Sequence, residues 1–330
     1  MGAFLDNHCS FLFLMDPYSS LNLETETSLL IMQELKDRGH AVFWAEANAL
    51  YLRQEDPRAS VQYVESAEPV RLGKKCDRSL NGFDSVLVRF DPPFDVNYLH
   101  CTYILDHLAP SVTQFNPVSA LRNFNEKLLA MRWPEFTPPT VVAMDQELIR
   151  DFAKEHQTIV IKPLDDCSGR GIVKLSYEEI LSDDQLLSRI LVGQNGGPRY
   201  LAAQKYLPAV SKGDKRIFLV DGDIVGYVNR IPKKGEFLAN IHQGARCEKT
   251  EVSDRENLIL EKIRPFIIEN GLFLLGVDFI DGFVTEINLT SPSAVRQINQ
   301  HMGAKIQKKI VDSMLSKMSP SCCCRGTKAA

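Results

Sequence analysis

The chain has 330 residues, long enough for two or three units of domain size around a large core. Hydrophobic residues make up 44% and charged residues 24%, as in ordinary globular proteins, and a formal net charge of −4 argues against a general polyanion binder such as a nucleic-acid protein while leaving room for a local basic nucleotide site. No apolar run reaches the ~18–20 residues that cross a bilayer, and the apolar stretch 9–16 lacks a basic leader, so it reads as a first strand rather than a signal peptide, with no membrane partner and a cytoplasmic location expected.

The eight cysteines read as free thiols. Five are scattered, at Cys9, Cys76, Cys101, Cys167 and Cys247, with no CxxC pair. Cys322, Cys323 and Cys324 are contiguous, and three adjacent thiols do not close readily around one tetrahedral zinc. Residues 317–330 therefore read as a disordered tail, with lipidation or metal capture as the alternative.

Strand and helix patterns alternate along the chain, which predicts α/β layers. SFLFLMDP (10–17) is a buried strand, TSLLIMQELKDRGH (27–40) an amphipathic helix stopped at Gly39, HAVFWAE (40–46) a second strand and DSVLVRFDPP (84–93) a third. Strand, helix, strand in that spacing is a βαβ unit, the opening of a parallel sheet. Residues 53–80 are weakly patterned and read as a loop; 98–110 reads as a helix. A first α/β domain over 1–122 is expected, with a second unit over 123–316. There, NFNEKLLAMRW (123–133) reads as a short Asn-capped helix, and TVVAMD, QELIRDFAKEHQ and TIVIKPL as strand, helix, strand. Residues 199–207 follow as a strand, 215–231 as a hairpin turning at DGD, 255–271 as a helix, 276–288 as a second hairpin and 301–318 as the last helix.

The chemistry concentrates in a few segments. In TEIN (285–288), period-two alternation puts Glu286 and Asn288 on one strand face and Ile287 on the other. A three-residue loop, Ile280-Asp281-Gly282, or a bulged turn at Asp281-Gly282, would bring Asp278 to the same face, making an oxygen cluster of the kind Mg²⁺ takes when phosphates and waters complete its shell. The alternative is a solvated sheet face. In IVIKPLDDCSGRGI (159–172), Lys162 near a strand end precedes a small glycine-containing loop whose N–H groups can approach phosphate. It is neither a P-loop nor a dinucleotide fingerprint. Lys127 alone reads as surface charge. Arg216 suits bidentate carboxylate binding, or is a strand-edge cation.

In this order, the lysines, loop, hinge strand and D…E-x-N hairpin of residues 124–316 resemble an ATP-grasp domain. Nearly the whole chain resembles prokaryotic-type glutathione synthetase, through MDP (15–17), RFDPPFD (89–95), TYILD (102–106), NEKL (125–128), KPLD (162–165), YLPA (206–209), GDKR (213–216), VDG (220–222), RIP (230–232) and TEIN-TSP (285–292). The fold implied is an ATP-grasp domain preceded by an open parallel-sheet domain. The resemblance implies that Lys127 and Lys162 bind the α- and β-phosphates of ATP. The 165–171 loop would fold over them, with Asp165, Ser168, Gly169 and Gly171 among the nucleotide contacts. Gln204, Lys205, Tyr206 and Leu207 would hold adenine, and Asp214 would lie near ribose. Asp278, Glu286 and Asn288 would hold Mg²⁺ or Mn²⁺. Arg216 and the Ser291-Pro292-Ser293 turn would position substrate carboxylates, while Arg230 and Arg246 would act on phosphate and in the lid. Asp16, Arg89 and Asp91 would line the peptide side.

The implied reaction joins γ-glutamylcysteine to glycine through an acyl phosphate, giving glutathione, ADP and phosphate, with a homotetramer as the implied assembly. Residues 232–251 form the expected lid over that intermediate. Departures sit in this lid and in the phosphate loop. Leu238 stands where the family carries an arginine, Ile241-His242-Gln243 where it carries small residues, and Asp166, Cys167 and Arg170 thin out the glycines. They leave two alternatives: a carboxylate–amine ligase of the same fold with another acceptor, or a non-catalytic nucleotide-binding protein.

Overall fold

The computed structural model describes residues 8–193 and 196–318, so the three contiguous cysteines lie outside the described residues. The N-terminal part is built on a seven-stranded sheet. Its parallel centre runs Ala41–Glu46, Ser10–Met15, Ser85–Val88, Thr113–Gln114. Parallel strands are covered on both faces and so need apolar side chains on both. Ser10–Met15 meets that demand: Leu12 and Leu14 enter one core while Phe11, Phe13 and Met15 enter another.

The loop expected over 53–80 is instead a long hairpin, Asp56–Ala67 paired with Val70–Ser79, which extends the sheet antiparallel beyond Ala41–Glu46. Its register shifts near Gln62, Val64 and Ser66 break the period-two pattern, and its outer strand has no fully buried residue and is half charged. Edge strands of that kind carry little hydrophobic signal.

Two further sheets follow. A four-stranded antiparallel sheet has the order Val173–Ser176, Thr158–Pro163, Leu201–Lys205, Thr140–Ala143, with its own core around Ile149, Ile159, Ile161 and Leu201. A five-stranded antiparallel sheet runs Arg246–Glu248, Asp223–Ile231, Asp214–Val220, Leu274–Ile280, Phe283–Asn288. This sheet shares both large cores with the N-terminal sheet: Ile217 and Val277 join Leu12 and Leu14, while Phe218 and Val220 join Phe11 and Phe13. Buried Asn116 pins the junction. Its amide donates to the Leu274 and Leu289 carbonyls at 2.9 and 2.7 Å and accepts from the Leu274 N–H at 2.8 Å.

The helices Thr27–Asp37, Gln146–His156 and Asp254–Glu269 form where expected, the last two capped by Asp145 and by a Ser253/Glu256 capping box. Two expectations fail. Residues 123–133 are not a helix: Val118–Asn123 ends there, and a turn leads into the 3₁₀ segment Leu129–Arg132. The helix expected over 301–318 forms only as Ile306–Lys317: its first two residues end a separate helix, Val295–Met302, stopped at Gly303 in the left-handed region at φ 64°. Among the described residues no helix is long and apolar enough to cross a membrane.

Candidate active site

The hairpin that carries TEIN closes through a two-residue turn, Asp281-Gly282, with both residues at positive φ, and Ile280 pairs with Phe283. The three-residue loop expected from the sequence is absent. A register shift between Asp278 and Phe279 does the same work: Thr285 is the extra residue, so Asp278 stands opposite Glu286. Opposed residues share a face, and Asn288, two residues on, shares it too.

The neighbouring strands extend this polar face. Arg216 is in register with Asp278, and Asp214 with Arg230. On the other face Ile217, Val277 and Ile287 enter the core, which fixes which side chains point outward. Arg216 grips Asp278 with two bonds, Nε to Oδ1 at 2.6 Å and an Nη to Oδ2 at 2.7 Å. Arg230 reaches Asp278 at 3.0 Å and Asp214 at 2.8 Å. Gly276 makes room for this, since a β-carbon there would lie 2.9 Å from Arg216 Cδ. Burial pushes the Asp278 carboxyl up, but Arg216 and Arg230 outweigh it and hold it at about 2. Burial pushes Asp214 up to about 6, against the attraction of Arg230 and with the Asp278 charge adding to it.

Two lysines face the carboxylates. Lys127 Nζ lies 3.3 Å from Glu286 and also donates to the Asp166 carbonyl. Lys162 Nζ donates to Gln204 Oε1 at 2.9 Å and to the carbonyl of Thr285, the bulge residue, at 3.4 Å. Burial pushes the Lys162 ammonium down, with Glu286 opposing. Asn288 Nδ2 donates to the Gly276 carbonyl and to Asp278 Oδ2, both at 3.1 Å, so its Oδ1 is the atom left for a cation. Two carboxylates and an amide oxygen suit a hard divalent ion whose remaining ligands come from phosphates and water. Among the described residues no group of three or more His, Cys, Asp or Glu forms a cation site, so such an ion depends on the amide.

These groups line a cleft of about 920 Å³ between the four- and five-stranded sheets. Its far end is apolar, with Val160, Ile172, Leu207, Val210 and Ile280. The hinge residues lie along it. The Lys205 N–H bonds Pro139 and the Tyr206 N–H bonds Thr158, at 2.9 and 3.0 Å; among the described residues no acceptor meets the Leu207 N–H. A flat heterocycle in this slot would find that donor unused. Gln204 is occupied by Lys162 and by Thr140, to whose hydroxyl it donates at 3.0 Å.

The 165–171 loop places Ser168, Gly169 and Gly171 at positive φ. Ser168 and Gly169 line the cleft. Gly171 is there for packing: a β-carbon would lie 2.9 Å from Pro163 Cγ. Asp166, whose charge sits beside the phosphate loop, is paired with Arg170 Nε at 2.6 Å. Asp165 turns away from the cleft toward Arg199, 3.8 Å from its guanidinium.

A second cavity, about 1280 Å³, abuts the first and shares Cys167, Ser168, Arg170, Arg216, Arg230 and Asn288 with it. Asp16, Glu26 and Asp91 line it from the N-terminal part of the chain, together with Ser291, Pro292 and Ser293. Arg89 lies behind this lining, 2% exposed, donating to Ser28 Oγ at 2.9 Å and the Pro292 carbonyl at 3.1 Å. Arg246 is on the outside: it lies on an edge strand, its side chain is 70% exposed, and it pairs with Glu248. Glu126 was not singled out from the sequence. Its buried carboxylate accepts the Leu289 and Thr290 N–H groups, both at 2.8 Å, and the Thr290 hydroxyl at 2.7 Å, which holds the end of TEINLTSP.

Comparison with known proteins accounts for both halves. Residues 9–122 match the prokaryotic glutathione synthetase N-terminal domain, and residues 126–303 the prokaryotic glutathione synthetase ATP-grasp domain. The glutathione synthetase of Rhodopseudomonas palustris is 34% identical, over 92% of this chain and 97% of its own, and that of Mesorhizobium japonicum is 36% identical over the same shares. The solved D-cycloserine synthetase DcsG superposes with a TM-score of 0.67 over 94% of this chain and all of its own, at 14% identity, a likeness of fold. The chain belongs to the prokaryotic glutathione synthetase family.

Proposed function

We propose that this protein joins γ-L-glutamyl-L-cysteine to glycine with ATP, giving glutathione, ADP and phosphate, and that the two abutting cavities are its nucleotide and peptide sites. The observation that carries the reading is the shared wall. Arg216 and Arg230 line both cavities beside Asp278 and Asn288, where a nucleotide in one would meet a carboxylate in the other. ATP enters with its base in the apolar slot against the Leu207 N–H and its phosphates toward Lys127, Lys162 and the Ser168–Gly169 backbone. Asp278, Glu286 and Asn288 hold Mg²⁺ or Mn²⁺, which when bound supplies positive charge to the phosphates.

The dipeptide lies in the second cavity. Its α-ammonium faces Asp16, Glu26 and Asp91, none of which forms an ion pair with a lysine or arginine among the described residues. Its cysteinyl carboxylate faces Arg216 and Arg230. The carboxylate oxygen takes the γ-phosphoryl group, and the amine of glycine then displaces phosphate from the acyl carbon. The chain needs no covalent nucleophile. Its work is in-line positioning and cationic stabilisation of the transferring group. Residues 232–251 exclude water: Phe237, Leu238 and Asn240 line the nucleotide cleft, while Ile241 and Gln243 line the peptide cavity.

A second reading, another acceptor amine, rests on Ile241 and Gln243 in that wall. The test is phosphate release with Mg-ATP, adding γ-glutamylcysteine and glycine separately and together, with products identified by mass spectrometry. Release needing both, with glutathione formed, supports the reading. Release that is indifferent to glycine moves the choice to another acceptor.

A further inference from the structure

The phosphate loop touches two segments that the reaction must coordinate. On one side Arg170 donates to the Pro92 carbonyl at 2.7 Å, in the segment that presents Asp91 to the peptide cavity. On the other side Gln243, at the tip of the lid, donates from Nε2 to the Ser168 carbonyl at 3.1 Å. Both residues stand among the departures from the family pattern.

The loop between these two contacts is braced. Arg170 Nε pairs with Asp166 Oδ1, and that oxygen also accepts the Cys167 N–H at 2.9 Å. The Asp166 carbonyl accepts from Lys127, the lysine beside Glu286. Ser168 and Gly169 follow one another at φ 56° and 78°, so their peptide groups are set by the turn. Gly169 leaves space for the lid tip, since a β-carbon there would lie 2.7 Å from Gln243 Nε2. The lid tip is itself a compact turn: the Gln243 N–H bonds the Asn240 carbonyl at 3.0 Å and the Gly244 N–H bonds that of Ile241 at 2.9 Å. At the lid's other end the Lys174 ammonium lies 4.9 Å from the Tyr206 ring of the hinge and 5.7 Å from the Phe237 ring of the lid.

We infer that the phosphate loop of this protein is a strut between the peptide-side segment and the lid, and that Arg170 and Gln243 are the positioning residues at its two ends. The inference rests on the ligase reading above. When phosphates settle against the Ser168–Gly169 backbone, the loop is held in the position that engages both contacts. The lid then closes on a site in which nucleotide and peptide are already seated. Without the lid contact, the acyl phosphate is open to water, and its phosphate is lost with no amide formed.

The test uses Gln243→Glu, which keeps the size of the side chain and removes the N–H donor, beside Gln243→Lys, which restores a donor, in the full chain. Two readouts are taken. The first is the ratio of phosphate released to glutathione formed at limiting glycine. The parent should release one phosphate per glutathione. Gln243→Glu should release an excess of about fivefold, the factor that one neutral hydrogen bond supports, and Gln243→Lys should return toward the parent. The second readout is tryptic cleavage of the lid after Lys233, Lys234, Arg246 and Lys249, with and without Mg and a non-hydrolysable ATP analogue. Nucleotide should slow cleavage in the parent by about fivefold more than in Gln243→Glu. A parent that makes no glutathione overturns the ligase reading, and the cleavage experiment still decides the strut. Equal protection of the lid in parent and Gln243→Glu overturns the strut. So does a phosphate-to-glutathione ratio that Gln243→Glu leaves unchanged.

Discussion

Replacing Asp278 with asparagine should damage the fold and the chemistry together, whereas Glu286→Gln should damage only the chemistry. Asp278 is 3% exposed and is the common partner of two guanidinium groups, at 2.6 and 2.7 Å from Arg216 and 3.0 Å from Arg230. Removing one member of a buried ionic set costs about 3–5 kcal/mol, because the remaining charges stay buried. At roughly 2–4 °C per kcal/mol for a unit of this size, the melting temperature should fall by about 6–20 °C. Glu286 is less enclosed, and Lys127 keeps the Asp166 carbonyl when Glu286 is neutralised. The cost there is about 1 kcal/mol, or roughly 2–4 °C. Differential scanning fluorimetry with and without Mg-ATP reads both effects. A ligand at a hundredfold its Kd contributes about 2.7 kcal/mol, and both variants should lose most of the resulting shift. The acid limb gives a second check. Asp278 has a folded pKa of about 2, below its ordinary value of 3.8. Its contribution is full above 3.8 and is lost as pH falls through 2, so parent and Asp278→Asn should converge in stability only at the acid end. An Asp278→Asn protein that melts with the parent at neutral pH would refute the buried ionic set. A Glu286→Gln protein with an undiminished Mg-ATP shift would take Glu286 out of the metal ligands.

Lys162→Met should melt within a few degrees of the parent at pH 7, because burial disfavours the ammonium it replaces. It should nevertheless bind ATP about 10- to 150-fold more weakly, the worth of one charged hydrogen bond, as read by calorimetric titration. Asp91→Asn leaves the Asp91 N–H bond to Asp16 in place. It should raise the KM for γ-glutamylcysteine about tenfold and leave that for ATP unchanged; equal effects on both would detach Asp91 from the peptide ammonium.

How far the sequence could be read depended on how local each signal was. Ser10–Met15 and Thr27–Asp37 announce themselves by composition and period, since burial on both faces or on one stripe leaves a mark in consecutive residues. The hairpin over 56–79 leaves none, because small buried residues, shifts of register and a charged outer strand erase the alternation. The convergence of Asp278 with Glu286 could be anticipated, yet its cause was misplaced. An extra residue within the strand, Thr285, replaces the longer turn, and nothing in TEIN distinguishes the two. Asn116 and Glu126 were invisible for another reason: their partners are backbone groups more than 150 positions away in the chain. Arg246 and Asp165, assigned by resemblance alone, face solvent and Arg199 respectively.

Asp278 has two uses that compete. As found, its oxygens are taken up by Arg216, Arg230 and Asn288. A divalent ion on the same carboxylate must displace at least one guanidinium contact, and the displaced arginine then needs another anion. Both arginines line the cavity wall where phosphate and substrate carboxylate would arrive, so an exchange of partners keeps every charge compensated. The metal ligand and the substrate-binding cations are thus one electrostatic unit, and their substitutions should not add. The sharpest consequence lies in stability. Asp278→Asn strands Arg216, whereas Asp278→Asn combined with Arg216→Met removes the stranded charge and leaves Arg230 with Asp214, 2.8 Å away. The double variant should therefore melt higher than Asp278→Asn alone, recovering about 1–3 kcal/mol, while remaining inactive. A double variant that melts as low as the sum of the two single losses would mean that Arg216 and Asp278 act independently, and the exchange of partners would have no basis.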